Sequence, residues 1–182
     1  RVNHLFTVTA AFFLLAITLN LPVLQYFIAP EYREGLGIVP LLLLGYLFLG
    51  VYYNMTVWFK VTDKTGYGTL ITSGGAVLTI GLNYLLIPVT GIMGSALVTF
   101  LCYFSMMLAC YLLGQRHYPI PYTIGKDLLL VFTVFAFAQS NTLYNPLQGS
   151  IAIAFGMIAT VIAGIAFWLL EKDTIRRDLL QQ

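Results

Sequence analysis

Side chains able to do chemistry are few and scattered in this 182-residue chain. Its two histidines, His4 and His117, stand far apart, and its two cysteines, Cys102 and Cys110, are eight positions apart. On one helix that spacing is about 12 Å along the axis, too long for a mutual disulfide. No group of His, Cys and carboxylate residues has the spacing of a metal site. Ser73 offers a nucleophile, but neither histidine is placed to activate it as a base. The run Gly91, Ile92, Met93, Gly94 lacks the lysine and the preceding strand of a phosphate-binding loop. No catalytic residue, metal or cofactor is expected, and the chain is not read as an enzyme.

All seven acidic residues, Glu31, Glu34, Asp63, Asp127, Glu171, Asp173 and Asp178, fall at helix ends or in loops. Proton and sodium sites within membranes rest on a buried carboxylate. None is expected here, so a coupling carboxylate would belong to another part of the protein. What remains is a set of amides within apolar stretches and a set of cations at their ends. Asn20, Asn54, Asn83, Lys60, Lys64 and Arg116 are the candidate substrate-binding residues. Gln25 and Ser73 also lie at membrane depth. For the amides two roles are open: hydrogen bonds between helices, worth about 0.6 kcal/mol each, or the lining of a substrate path. For Lys60, Lys64, Arg116 and Lys126 the alternatives are anchoring to anionic headgroups and contact with an anionic substrate.

The elements that carry these residues follow from composition. The chain is 59% hydrophobic and 9% charged, with a mean hydropathy of +0.87. Soluble domains carry about 25% charged residues, so a water-exposed surface is excluded. A spanning helix needs about 20 apolar residues, and barrel strands would alternate apolar and polar positions. The runs 41–44, 128–131 and 165–170 do not alternate. The fold expected is an all-α membrane protein, a bundle of about six transmembrane helices. The spans are A (5–28), B (38–59), C (69–87, ended by Pro88), D (92–114), E (124–138) and F (150–170), followed by a polar tail, 171–182. Pro22, two residues after Asn20, is expected to kink span A near its outer end. Ala152, Gly156, Thr160 and Gly164 form a small-residue stripe on span F, which favours close helix packing.

An even number of spans puts both ends on one side. Arg1, Lys60, Lys64, Arg116, Lys126, Lys172, Arg176 and Arg177 share that side, and only Arg33 lies on the other. By the positive-inside rule that side is cytoplasmic. Trp58 and Trp168 fall at the same ends of spans B and F, in the headgroup zone that indole favours. Because the chain opens on Arg1 and Val2 and enters span A almost at once, we read it as part of a longer protein.

Several local patterns resemble those of a known group. The run NMTVWFK at 54–60, followed by TDKTGYG at 62–68, resembles the cytoplasmic turn of Wzx-type flippases. These are bacterial lipid-linked oligosaccharide transporters of the multidrug/oligosaccharidyl-lipid/polysaccharide exporter superfamily. The hairpin NYLLIP at 83–88, with Gly91, Gly94, Ser95, Ala96 and Thr99, is similar to that superfamily's short outer turn. The loop YPIPY at 118–122 is similar to one in Bacteroidetes members. The resemblance implies two helical lobes around a central cavity, of which this chain would form the C-terminal lobe. It implies an inner-membrane protein whose partners are an undecaprenyl-pyrophosphate-linked oligosaccharide, the lipid bilayer and a missing N-terminal lobe; no nucleic-acid partner is expected. In one respect the chain departs from the pattern: no Lys or Arg lies mid-span to meet the pyrophosphate. A drug exporter of the same superfamily, a lipid II flippase and a non-transporting membrane scaffold are the competing readings.

Overall fold

The computed structural model describes residues 2–117, 124–144, 154 and 156–165. The 118–122 loop, Ala152, Trp168, both ends of span F and the 171–182 tail lie outside the described residues. Every regular element among the described residues is helical. In hydrocarbon a segment must satisfy its backbone polar groups internally, and a helix does so alone. Among the described residues, four helical stretches are long and apolar enough to cross a membrane: Val2–Leu19, Pro30–Val61, Gly66–Thr90 and Ile92–His117. The chain is therefore compatible with a multi-pass membrane protein.

Span A divides. Helix α1 (Val2–Leu19) stops at Asn20, and a short α2 (Leu21–Leu24) and a 3-10 turn (Gln25–Phe27) follow. Pro22 sits at the start of α2, where its missing N–H costs nothing. The kink expected at Asn20 is an interruption of the helix still bridged by hydrogen bonds, from the Asn20 N–H to the Ala16 carbonyl and from the Leu24 N–H to the Asn20 carbonyl, and Gln25 lies in the turn beyond the helix rather than within it. A second 3-10 stretch (Pro30–Ile38) leads into α3 (Val39–Met55), and Thr56 joins this to α4 (Val57–Val61). The chain then reverses through Asp63, whose φ of 53° is left-handed.

Helix α5 (Gly66–Thr90) does not end at Pro88, as expected, but two residues later. Proline removes one hydrogen bond, with Tyr84, and the helix closes without it. The stop is Gly91: its φ of 58° suits glycine, and its N–H donates to the Ile87 carbonyl at 2.9 Å. Helix α6 (Ile92–His117) runs three residues past the expected end, and α7 (Ile124–Tyr144) runs six past. Helix α8 (Gly156–Ile165) is the described portion of span F.

The helices pack in the order α7, α1, α3, α6, α5, each against its neighbours. The core lies around α3 and α6, where Leu44, Phe48, Met55, Trp58, Met107 and Cys110 are each 1% exposed or less. Gly45 sets the α3–α6 approach: a Cβ there would stand 3.2 Å from the Phe100 Cα. By contrast α5 buries only Ile71 and Gly75, the latter against Cys102 and Met106 of α6. Its outer face is apolar and open, with Leu70, Val77, Ile80 and Tyr84 exposed.

Candidate functional site

Three helix ends converge where the cations gather. Lys60 is in the last turn of α4, Lys64 in the following turn and Arg116 in the last turn of α6, and all three are exposed. An aromatic cluster ties these ends together. The His117 ring stacks on Trp58 with centroids 5.9 Å apart and planes at 11°. Tyr67, from the first turn of α5, packs on both, at 5.5 Å from Trp58 and 5.0 Å from His117.

Hydrogen bonds fix the imidazole. Its Nδ1 lies 2.9 Å from the Leu113 carbonyl, which can only accept, so Nδ1 carries the proton. In the neutral ring Nε2 is then an acceptor, and the Tyr67 hydroxyl donates to it at 3.1 Å. Trp58 is buried against Gly114, where a Cβ would stand 3.1 Å from its Cδ1 and Nε1. Nothing local in the sequence signals this cluster, because Trp58 and His117 lie on different helices.

Beside the cluster Lys64, Gly66, Tyr67 and Leu70 line an open cavity of about 310 Å³. It sits at the foot of the exposed apolar face of α5. Leu70 belongs both to this lining and to that face. Four positions apart, Lys60 and Lys64 would share a helical face if α4 continued through the turn. It does not: the left-handed Asp63 ends it. Asp63 is also exposed next to Lys64 and offsets part of its field.

The three amides are elsewhere, and no hydrogen bond joins them. Asn20 donates its side-chain amide to the Ala16 carbonyl at 2.8 Å and to the Thr160 hydroxyl at 2.9 Å. Its observed role is helix packing. Asn54 on α3 and Asn83 on α5 are half-buried. Asn54 Nδ2 and Asn83 Oδ1 find no partner among the described residues.

One expectation fails. No buried carboxylate was expected, yet Asp127 is 5% exposed. It does open α7, but that first turn packs against α1, and its carboxylate meets His4 Nδ1 at 2.5 Å. Asn3 and Thr7 on α1 are buried nearby, at 7% and 2% exposed. No local pattern signals this group, since His4 and Asp127 are 123 positions apart. Among the described residues no three His, Cys, Asp or Glu side chains could hold a metal ion. Cys102 and Cys110 are both buried free thiols.

No family model, no curated protein and no solved structure matches this chain.

Proposed function

We propose that this chain is the C-terminal lobe of a flippase for undecaprenyl-pyrophosphate-linked oligosaccharides, acting in surface-polysaccharide export at a bacterial inner membrane. One observation carries the reading: Lys64 borders a shallow open depression at the foot of the exposed apolar face of α5. Such a juxtaposition suits a lipid whose phosphate head and hydrocarbon tail must be held together. Exposed Lys60 and Arg116 at the same end add positive charge and raise the encounter rate with an anionic lipid.

In this reading spans E and F cross the membrane too, giving six crossings with both ends cytoplasmic. A second lobe completes a central cavity. The two lobes rock about it, exposing the headgroup site alternately to either side. The sugar head crosses through the hydrated cavity while the polyprenyl tail stays in lipid. The interruption at Asn20 and Pro22 supports a moving element, since interrupted helices are used in such transporters.

The test is a Lys60→Gln/Lys64→Gln double variant of the full-length protein, scored for surface-polysaccharide output at equal membrane abundance and unchanged topology. Output falling several-fold supports the reading. Unchanged output removes the substrate role and leaves the lysines as topological anchors.

A further inference from the structure

The two outer flanks of α6 differ in chemistry. One carries Leu97, Leu108 and Leu112, all exposed, an aliphatic surface suited to lipid. Tyr103 stands on the other flank, since a helix turns about 100° per residue. Its ring meets that of Tyr46 on α3, with centroids 5.6 Å apart and planes at 51°. Tyr46 and Tyr53, seven residues apart and so on one face of α3, are 56% and 62% exposed. Gly50 lies between them, and the Phe6 ring of α1 fills the space that a Cβ would take there.

Depth sets these tyrosines apart. Along the axis Tyr103 is about 16 Å from the start of α6 and about 21 Å from its end, near the middle of a span. Tyr46 and Tyr53 lie about 10 and 12 Å inside the nearer ends of the α3–α4 stretch. Tyrosine favours the headgroup zone, and at mid-span an exposed hydroxyl finds no partner in hydrocarbon. Polar groups held at such depth face other protein or a water-filled cavity. The same face also runs on to the cations. Lys60 follows Tyr53 by a further seven residues, and Thr56, which joins α3 to α4, keeps a helical φ of −63° and ψ of −13°. Tyr46, Tyr53 and Lys60 thus form one exposed line, two uncharged aromatics leading to a cation.

We propose that Tyr46, Tyr53 and Tyr103 form a saccharide-binding surface, on which sugar rings of the lipid-linked glycan stack while its pyrophosphate lies towards Lys60. A tyrosine ring offers a flat apolar surface to the C–H face of a pyranose, and its hydroxyl both donates to and accepts from sugar hydroxyls. The order along the line matches a ligand that is anionic at one end and uncharged beyond it. No lysine or arginine lies mid-span, so a neutral sugar fits the tyrosines better than an anion does. A hydrocarbon chain would leave their hydroxyls unmet. The inference rests on the flippase reading, and the experiment below separates the failure of one from the failure of the other.

Binding of two probes to the full-length protein in detergent tests it: undecaprenyl pyrophosphate, bare or carrying the oligosaccharide unit of the producing cell. The glycan is expected to tighten binding several-fold. Tyr46→Leu/Tyr53→Leu should abolish that gain and leave affinity for the bare lipid unchanged, whereas Lys60→Gln/Lys64→Gln should weaken both probes alike. Both tyrosines are exposed, so the fold should tolerate leucine, and Tyr46→Trp/Tyr53→Trp, which keeps aromatic rings, should keep the gain. Equal affinity of the unaltered protein for the two probes, or a gain that survives the leucine pair, overturns the inference and leaves the flippase reading standing. Binding of neither probe overturns both. Accessibility gives a second arm. Cys102 and Cys110 are buried, so Tyr53→Cys should add reaction with a small water-soluble thiol reagent over that of the unaltered protein. The glycan-bearing lipid should protect this site more than the bare lipid does. No added reaction in the folded full-length variant would mean that lipid or another helix covers the face, and overturns the inference.

Discussion

The Asn20 side-chain amide donates to the Thr160 hydroxyl at 2.9 Å, joining the end of α1 to α8 across 140 positions of sequence. Thr160 passes its own proton to the Gly156 carbonyl at 2.7 Å, so both groups are satisfied without water. The contact is close because Gly156 has no side chain: a Cβ there would stand 2.5 Å from the Leu19 carbonyl oxygen. Gly156, Thr160 and Gly164 face α1, while Met157, Ile158, Val161 and Ile162 are exposed.

Gly156→Ala should therefore destabilise the protein by about 1–3 kcal/mol, the usual cost of overpacking. Gly164→Ala should cost much less, because its Cβ would meet the Phe12 ring at an ordinary 3.5 Å. Thr160→Val should lie between them, losing about 0.6 kcal/mol for the interhelical hydrogen bond. Thermal unfolding of the three variants in detergent checks the order. Equal tolerance of all three would place the stripe against lipid.

The Tyr67–His117 hydrogen bond predicts a second outcome. Tyr67→Phe leaves the ring packing in place and removes the donor to Nε2. Stability should fall by about 0.5–1.5 kcal/mol, while His117→Ala, which also loses the stack on Trp58, should cost more. Chemical unfolding of both variants checks this ranking.

The chain reversal after α4 gives a third. Asp63 holds a left-handed φ of 53°, which a β-branched residue tolerates poorly. Asp63→Val should destabilise by about 1–2 kcal/mol, and Asp63→Gly should be neutral or stabilising. If the glycine variant instead loses as much as the valine variant, the carboxylate rather than the backbone matters there. Relative unfolding temperatures decide.

Much of the architecture was legible because its causes are local. Apolar runs mark the helices, and Pro22 marks the interruption after α1. Pro88 misled, since one lost hydrogen bond near a helix end is tolerated and the turn waits for the left-handed Gly91. The shared face of Gly156, Thr160 and Gly164 was legible from four-residue spacing, but its partner Asn20 was not. The His4–Asp127 pair and the Trp58–Tyr67–His117 cluster were illegible for the same reason. Each joins helices distant in sequence, and nothing local encodes which helix packs on which.

Topology supplies a further expectation. In the proposed orientation, a reporter fused after Gln182 is cytoplasmic and one inserted near Asn145 is periplasmic. Labelling with membrane-impermeant reagents at both sites checks this, and the opposite pattern reverses the assignment of Lys60 and Lys64 to the substrate-loading side.

The most direct measurement is lipid translocation. The full-length protein, reconstituted in vesicles with a fluorescent polyprenyl-pyrophosphate-linked oligosaccharide, should move the headgroup across the bilayer well above the protein-free rate. Lys60→Gln/Lys64→Gln should slow that movement several-fold without changing protein orientation. Translocation no faster than in protein-free vesicles, with the protein folded and correctly inserted, would contradict the flippase account.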